Sequence, residues 1–439
     1  MASSQRWNRR FGRRRFGQRF FQAMVAGSLL STGLASCGGP QASSSAAGEV
    51  EFWTMQLQPK FTDYFNALIA EFEAQNPEIK VKWVDVPWTA MESKILAAVT
   101  AGQAPDVVNL NPDFASQLAS RDAWLNLNEQ VPEAVRQEYL PNIWQASSLG
   151  EVSFGLPWYL TTRVSIYNQD LLEQAGITSL PKTYGELAAA AQTIKDKTGK
   201  YAFFTTAVAN DSAELLESMV QMGVTLVDGE GKAAFNSPEG KQAFQYWVDL
   251  YQKGLLPRES LTQGHQRGIE LYQAGETAVL SSGPEFLSAI ATNAPTVAQA
   301  STASSQITGS TGKKNVAVMN LVVPKGSDNP EAALKFALFV TNSENQLAFA
   351  KAANVLPSTV EALESYQAEI AALGDQASAV EQARAVSASQ MNEAQVLVPA
   401  MQDLDKLQTA IYSNLQAAML KEKSVEQAIA DAAEAWNAR

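Results

Sequence analysis

Between Val50 and Leu110 the chain alternates short apolar runs with segments of helical period, and this alternation limits the fold more than any other feature. "VEFW", residues 50–53, reads as a strand. "FTDYFNALIAEFEAQNP" then sets Phe61, Phe65, Leu68, Ile69 and Phe72 at helical spacing, with Pro77 beyond the stop. "IKVKWVDV" alternates Ile79, Val81 and Trp83 against Lys80 and Lys82, which predicts a second strand with Trp83 in the core. "TAMESKILAAVTAG" predicts a helix with Thr89 as N-cap, Glu92 three residues on, and Gly102 at the stop. "PDVVNL" is a short buried strand. Strand, helix, strand, helix, strand implies right-handed crossovers onto a mostly parallel sheet, hence an α/β fold.

The same grammar returns further along, in "VSIYNQDLLEQAGI", "KTYGELAAAAQTIKDKTG" and "KQAFQYWVDLYQKG". Trp247 shares a helical face with Phe244 and Tyr251 and belongs in a core. Residues 291–315 are polar and low in complexity and read as a surface connection. "VAVMNLVVP" is again a strand, and "NPEAALKFALFVT" a helix with Asn329 capping and Pro330 at its first position. From about Val360 to Arg439 the chain is rich in Ala, Gln and Glu and reads as helical. At 439 residues it is too long for one simple core and suits two lobes.

Charge is unevenly placed. The formal net charge is -12, yet residues 1–36 hold seven arginines and no acid, so the remainder stands at -12 - 7 = -19. An acidic body of that kind repels nucleic acid, which excludes that class of partner. The arginines precede "FFQAMVAGSLLSTGLA" and a small-residue site, the three zones of a secretory signal. No run of about 18 uninterrupted apolar residues marks a spanning helix. The single cysteine, Cys37, follows Leu34-Ala35-Ser36, and the four together resemble the lipobox of bacterial lipoproteins, in which the cysteine is acylated. Residues 1–36 then form the signal and 37–48 a flexible tether. "GRRRFGQ", residues 12–18, also resembles a twin-arginine export signal, though Gly17 and Gln18 depart from it. The expected location is outside the cytoplasmic membrane, held there by acyl chains.

From residue 49 to 439 the order and spacing of several motifs resemble the extracellular solute-binding proteins of ABC importers, in the branch that takes maltose and glycerol phosphate. "EFWTMQ" with its following helix is similar to the family's opening. "AGQAPDVV" resembles its Gly-x-x-Pro-Asp strand entry, and "GLPWYLTTRVSIYNQDLLEQAGI" its crossing strand. "YQAGETAVLSSGPEF" is similar to its second-lobe strand ending in Gly-Pro, and "AALKFALFVTNSENQLAFAKAANVLPS" to its late helix pair. The resemblance implies a two-lobed periplasmic-binding-protein-like fold of type II, with a ligand cleft and lobe closure on binding. It places lobe 1 at 49–159 and 314–342, lobe 2 at 162–308 and 345–439, and hinges near Tyr159–Thr162 and Lys313–Asn315. It implies a monomeric sugar- or polyol-binding subunit with no cofactor, no metal and no catalysis, which delivers its ligand to membrane permease subunits.

Sugar recognition needs flat apolar faces for C–H stacking and planar polar groups for hydroxyls. Loop residues at the carboxyl ends of strands supply them: Trp53, Thr54 and Gln56, Trp88, Asn111 and Asp113, Trp158, Tyr159, Thr162 and Arg163, Glu285 and Phe286. By resemblance Asp113 falls where maltose-type members carry a ligand-contacting acid. Glu285 falls where many carry a stacking tryptophan, a departure that Phe286 can offset. Arg163 can grip a phosphate or carboxylate or make a structural ion pair. Lone His265, in "LTQGHQRG", reads as a solvated surface residue. With one histidine and one cysteine, a zinc or copper site built from those ligands is excluded. Two alternatives stand beside the binding-protein reading: a glycoside hydrolase pairing Asp113 with Glu285, and an iron carrier using Tyr, Asp and Glu. A disaccharide, a compatible-solute glycoside and glycerol phosphate are all open as ligands.

Overall fold

The computed structural model describes residues 48–209 and 211–439, apart from the side chains of Pro112, Asp113, Asp375 and Asn392. The export signal, Cys37 and the tether up to residue 47 lie outside the described residues. The strands are β1 (Glu49–Met55), β2 (Lys80–Val86), β3 (Val107–Leu110), a small hairpin of β4 (Ser148–Leu149) and β5 (Val152–Ser153), β6 (Leu156–Thr162), β7 (Val164–Asn168), β8 (Val279–Ser282), β9 (Ser301–Ser305), β10 (Lys314–Val322), β11 (Leu356–Pro357) and β12 (Ala394–Gln395).

Two sheets carry the fold. The first runs β11-β6-β10-β3-β1-β2, with β12 beside β10. β1 is parallel to β2 and β3, as the strand-helix alternation requires, while β10 runs antiparallel to β3 and β6. Apolar cores cover both faces, which is why all four residues of β3 are buried. One core joins Phe52, Phe65, Phe72, Trp158 and Phe336; the other joins Trp53, Met91, Val108 and Leu110. The second sheet, β8-β7-β9, is antiparallel throughout and again has a core on each face. Trp247 lies in the larger of these with Phe244, and its Nε1 donates to Ser218 Oγ at 3.0 Å.

Three expectations from sequence are corrected. The second helix spans Trp88–Thr100 and begins one residue before Thr89, with Pro87 at its N-cap. Glu92 accordingly makes no capping box; its carboxylate accepts from Gln117 Nε2 at 2.8 Å. The low-complexity stretch 291–315 is not a bare connection, because "STASS" is strand β9, paired with β7 over five residues. Its serines hid it: backbone pairing with a central strand, not apolar content, puts it in the sheet. Finally, the helices Ser343–Ala353 and Val360–Ala371 pack on the first sheet's core through Phe349, Leu363, Tyr366 and Ile370, not on the second lobe. Phe349 stacks on Trp158 with centroids 4.9 Å apart, and that contact settles which side the segment joins.

The chain passes from one sheet to the other through Arg163 alone, between β6 and β7, and returns between β9 and β10. Two buried amides hold these passages. Gln390 Nε2 donates to Thr162 Oγ1 and to the Arg163 carbonyl at 3.3 and 3.1 Å, while its Oε1 accepts from Gln306 N at 2.9 Å. Gln306 in turn accepts from Asn315 N at 2.7 Å and donates to the Asn315 carbonyl at 3.0 Å. Gln390→Ala leaves the buried Gln306 backbone N–H without its partner and the Arg163 carbonyl with only the longer bond from Gln306 Nε2, at 3.5 Å. It is expected to lower unfolding free energy by about 1–3 kcal/mol, read from urea midpoints.

Candidate functional site

A cavity of about 340 Å3 opens where residues of both sheets meet. The first sheet supplies Trp88, Asn111, Thr161 and the middle of β10; the second supplies Asp211, Ser212, Glu217, His265 and Asp405. Of the residues picked from sequence, Trp88, Asn111 and Arg163 are brought together in its wall.

Trp88 is the first residue of its helix and remains 42% exposed, the kind of large apolar face that marks a ligand surface when it lines a cavity. Its ring lies 6.2 Å from Phe114, tilted by 50°. Gln56, in a left-handed turn at φ 53°, does not line the cavity; its Oε1 accepts from the Trp88 backbone at 3.4 Å and so steadies the platform. Asn111 caps the Pro112–Ala119 helix, its Oδ1 accepting from Phe114 N at 2.8 Å. The Asp113 side chain lies outside the described residues.

Other picks are structural. Trp53 is buried in the second face's core, its Nε1 donating to Glu51 Oε1 at 2.6 Å and its ring covered by Lys94. Thr54 is fully buried and donates to Asp85 Oδ1 at 2.7 Å. Trp158 is sealed against Phe349, and Thr162 is held by Ser387 and Gln390. Each lies within β1 or β6, strands whose two faces are both covered by apolar cores, so its side chain is buried whichever face it points to. Tyr159 packs edge-on against Trp158 and Phe349. Burial, then the nearby Glu285 carboxylate, holds its phenol far above the ordinary range.

Glu285 opens the Glu285–Asn293 helix and folds back over Gly283, where any Cβ would come within 2.1 Å of both carboxylate oxygens. Its Oε2 has no hydrogen-bond partner. Burial pushes its pKa up to about 7, with Arg163 and Lys60 pulling back only part of the way. Next to it, Phe286 meets the His265 ring edge-to-face at 6.4 Å. His265 is not a solvated surface residue. It lines the cavity, its Nε2 lies 3.3 Å from Ser282 Oγ, and its backbone N donates to Asp211 Oδ2 at 2.7 Å. Burial, then Arg163, pushes its pKa down to about 3. Arg163 ends in an ion pair with Glu217 at 3.3 Å and a bond to Ser212 Oγ at 3.2 Å. Burial alone would lower its pKa, but Glu217 and Glu214 outweigh that and the net direction is up.

Nothing local in "LTQGHQRG" marks His265, because its surroundings come from β8 and the loop near Asp211. Asp211 and Ser212, in contrast, precede a helix start in "NDSAELLE", a local cap signal legible in the sequence. The arrangement offers an aromatic face, an imidazole, hydroxyls, amides and carboxylates, groups whose chemistry suits a polyhydroxylated solute.

The folded state keeps a proton on Glu285 between about pH 4.5 and 7 that the unfolded chain releases. Its contribution to stability therefore falls as pH rises through that window. Glu285→Gln should raise Tm over the parent increasingly from pH 4.5 to about 7, then by a constant amount, as scanned by calorimetry.

A family described as bacterial extracellular solute-binding protein matches residues 58–347. A crystallised Synechococcus sp. MITs9220 protein, assigned as an oligosaccharide periplasmic-binding protein, is 47% identical at TM-score 0.84, covering 89% of this chain and 98% of its own. Maltose-bound MalE3 of T. maritima superposes at TM-score 0.73 and 21% identity, over 89% of this chain and 99% of that one. The diacetylchitobiose binding protein DasA of Streptomyces coelicolor is 25% identical over 357 residues, 78% of this chain and 81% of DasA. Fold and family agree with the motif order, and the chain belongs to the bacterial extracellular solute-binding proteins of ABC transporters.

Proposed function

We propose that the protein binds a sugar or sugar-like solute in the cavity beside Trp88 and delivers it to membrane permease subunits, without catalysis. The exposed Trp88 face, steadied from behind by Gln56 and set within a wall of hydroxyl, amide and carboxylate groups, is the observation that carries this reading. Relatives described as binding maltose, diacetylchitobiose and arabinooligosaccharides support it. One observation favours a metal ion instead: the Synechococcus protein has also been crystallised in complex with zinc. Among the described residues, however, no group of three or more His, Cys, Asp or Glu stands where it could hold a metal ion.

Closure is expected to pivot on Arg163 and on the β9–β10 return, where few main-chain bonds cross between the sheets. Export and lipid anchoring rest on Leu34–Cys37 and the arginine-led segment before it. Among the described residues no helix is long and apolar enough to cross a membrane.

Thermal-shift screening against neutral disaccharides, glycosides and polyols, with zinc as a separate arm, should show stabilisation by carbohydrate. Stabilisation by zinc alone would sink the sugar reading. With a hit in hand, Trp88→Ala should weaken binding at least about tenfold by calorimetry, the loss of one stacking face, and the sugar should be recovered unchanged. In cells, Cys37→Ala should move the protein from the membrane to the soluble fraction.

A further inference from the structure

Two basic side chains face the cavity, and on sequence Arg163 can grip a phosphate. In the fold neither is available to an anion. Arg163 is already bound to Glu217 and to Ser212 Oγ, with Glu214 adding a second negative field. The pair is shielded, at 23% and 12% side-chain exposure, so an arriving anion would have to displace Glu217 where charge is poorly screened. His265 is uncharged at neutral pH.

The acids have no such compensation. Glu92 accepts from the neutral amide of Gln117, and Asp211 from the neutral backbone of His265. Asp405 stands half-buried in the same wall. Glu92, Asp211, Glu217 and Asp405 thus place four formal negative charges around the cavity against the single positive charge of Arg163. A low-dielectric concavity concentrates that field.

We infer that the cavity excludes anionic solutes, sugar phosphates and sugar acids included, and admits an uncharged polyhydroxylated one, with Arg163 serving as a structural partner of Glu217 instead of an anion grip. The charge argument stands on the wall itself; only the neutral occupant rests on the sugar-binding reading. Among the ligands that the sequence left open, it removes glycerol phosphate.

The test uses the intact protein and its one histidine, whose imidazole signals are unique in an NMR spectrum. Inorganic phosphate at millimolar concentration should leave the His265 signals of the parent protein unmoved. Glu217→Gln, which frees the guanidinium, should make them shift saturably. Matched pairs are then compared by calorimetry: trehalose with trehalose 6-phosphate, and glycerol with glycerol 3-phosphate. The phosphorylated member should bind at least about tenfold more weakly, with the gap narrowing at high salt. Should Glu217→Gln fail to fold, Asp405→Asn leaves the Arg163 pair intact and should narrow the same gap several-fold. Saturable phosphate binding by the parent, or a phosphorylated sugar held as tightly as its neutral twin, overturns the inference. So does a folded Glu217→Gln that remains blind to phosphate. If no neutral compound binds, the sugar reading fails while the phosphate arm still decides the charge inference.

Discussion

The chain leaves its first sheet and enters its second through one residue, and the cavity depends on how that step is held. β6 ends at Thr162 and β7 begins at Val164, so Arg163 belongs to neither ladder. Its carbonyl is paired only by side-chain amides, those of Gln390 and Gln306, and Gln306 ties the return strand to the same point. Side-chain amides do here what a sheet does elsewhere. They satisfy main-chain groups one at a time, which fixes position without adding a continuous ladder that would resist bending.

That junction also explains the electrostatics. Because its backbone is pinned, the Arg163 side chain projects beside Glu217 and Ser212, the loop that also orients His265 through Asp211. Burial is the main force that disfavours charge on both His265 and Glu285; the one guanidinium adds to it at the imidazole and opposes it at the carboxylate. The crossing and the cavity wall thus meet in one residue. Replacing it would disturb the wall, the crossing and two titrating neighbours together.

The α/β class, the parallel start of the first sheet and the family were legible because they rest on period and order: strands at 50–53, 79–86 and 105–110 recur in β1 to β3. The N-cap of the second helix falls at Pro87, two residues before Thr89, because the fixed φ of proline starts the helix without a side-chain cap. β9 was invisible, since "STASS" has no apolar signature and owes its state to β7. Within the site, Trp88, Asn111 and Arg163 could be picked by their place after strands. Trp53, Thr54, Trp158 and Thr162 instead lie inside β1 and β6 and are buried, because both faces of that sheet are covered. His265 reached the cavity through contacts with residues 17 and 54 positions away, which no local pattern contains.

Glu285 shows how a departure from a family pattern can be read physically. By resemblance, many relatives carry a stacking tryptophan at this position. Here the side chain instead curls over Gly283, and the neighbouring Phe286 contacts His265. The only large exposed aromatic among the described residues that line the cavity is therefore Trp88, on the opposite wall. One stacking face supports one ring at a time, and the counter-wall of amides and carboxylates offers that ring polar partners. Size and charge both support the proposed neutral ligand: the cavity holds about 340 Å3, and its one arginine is already balanced by Glu217.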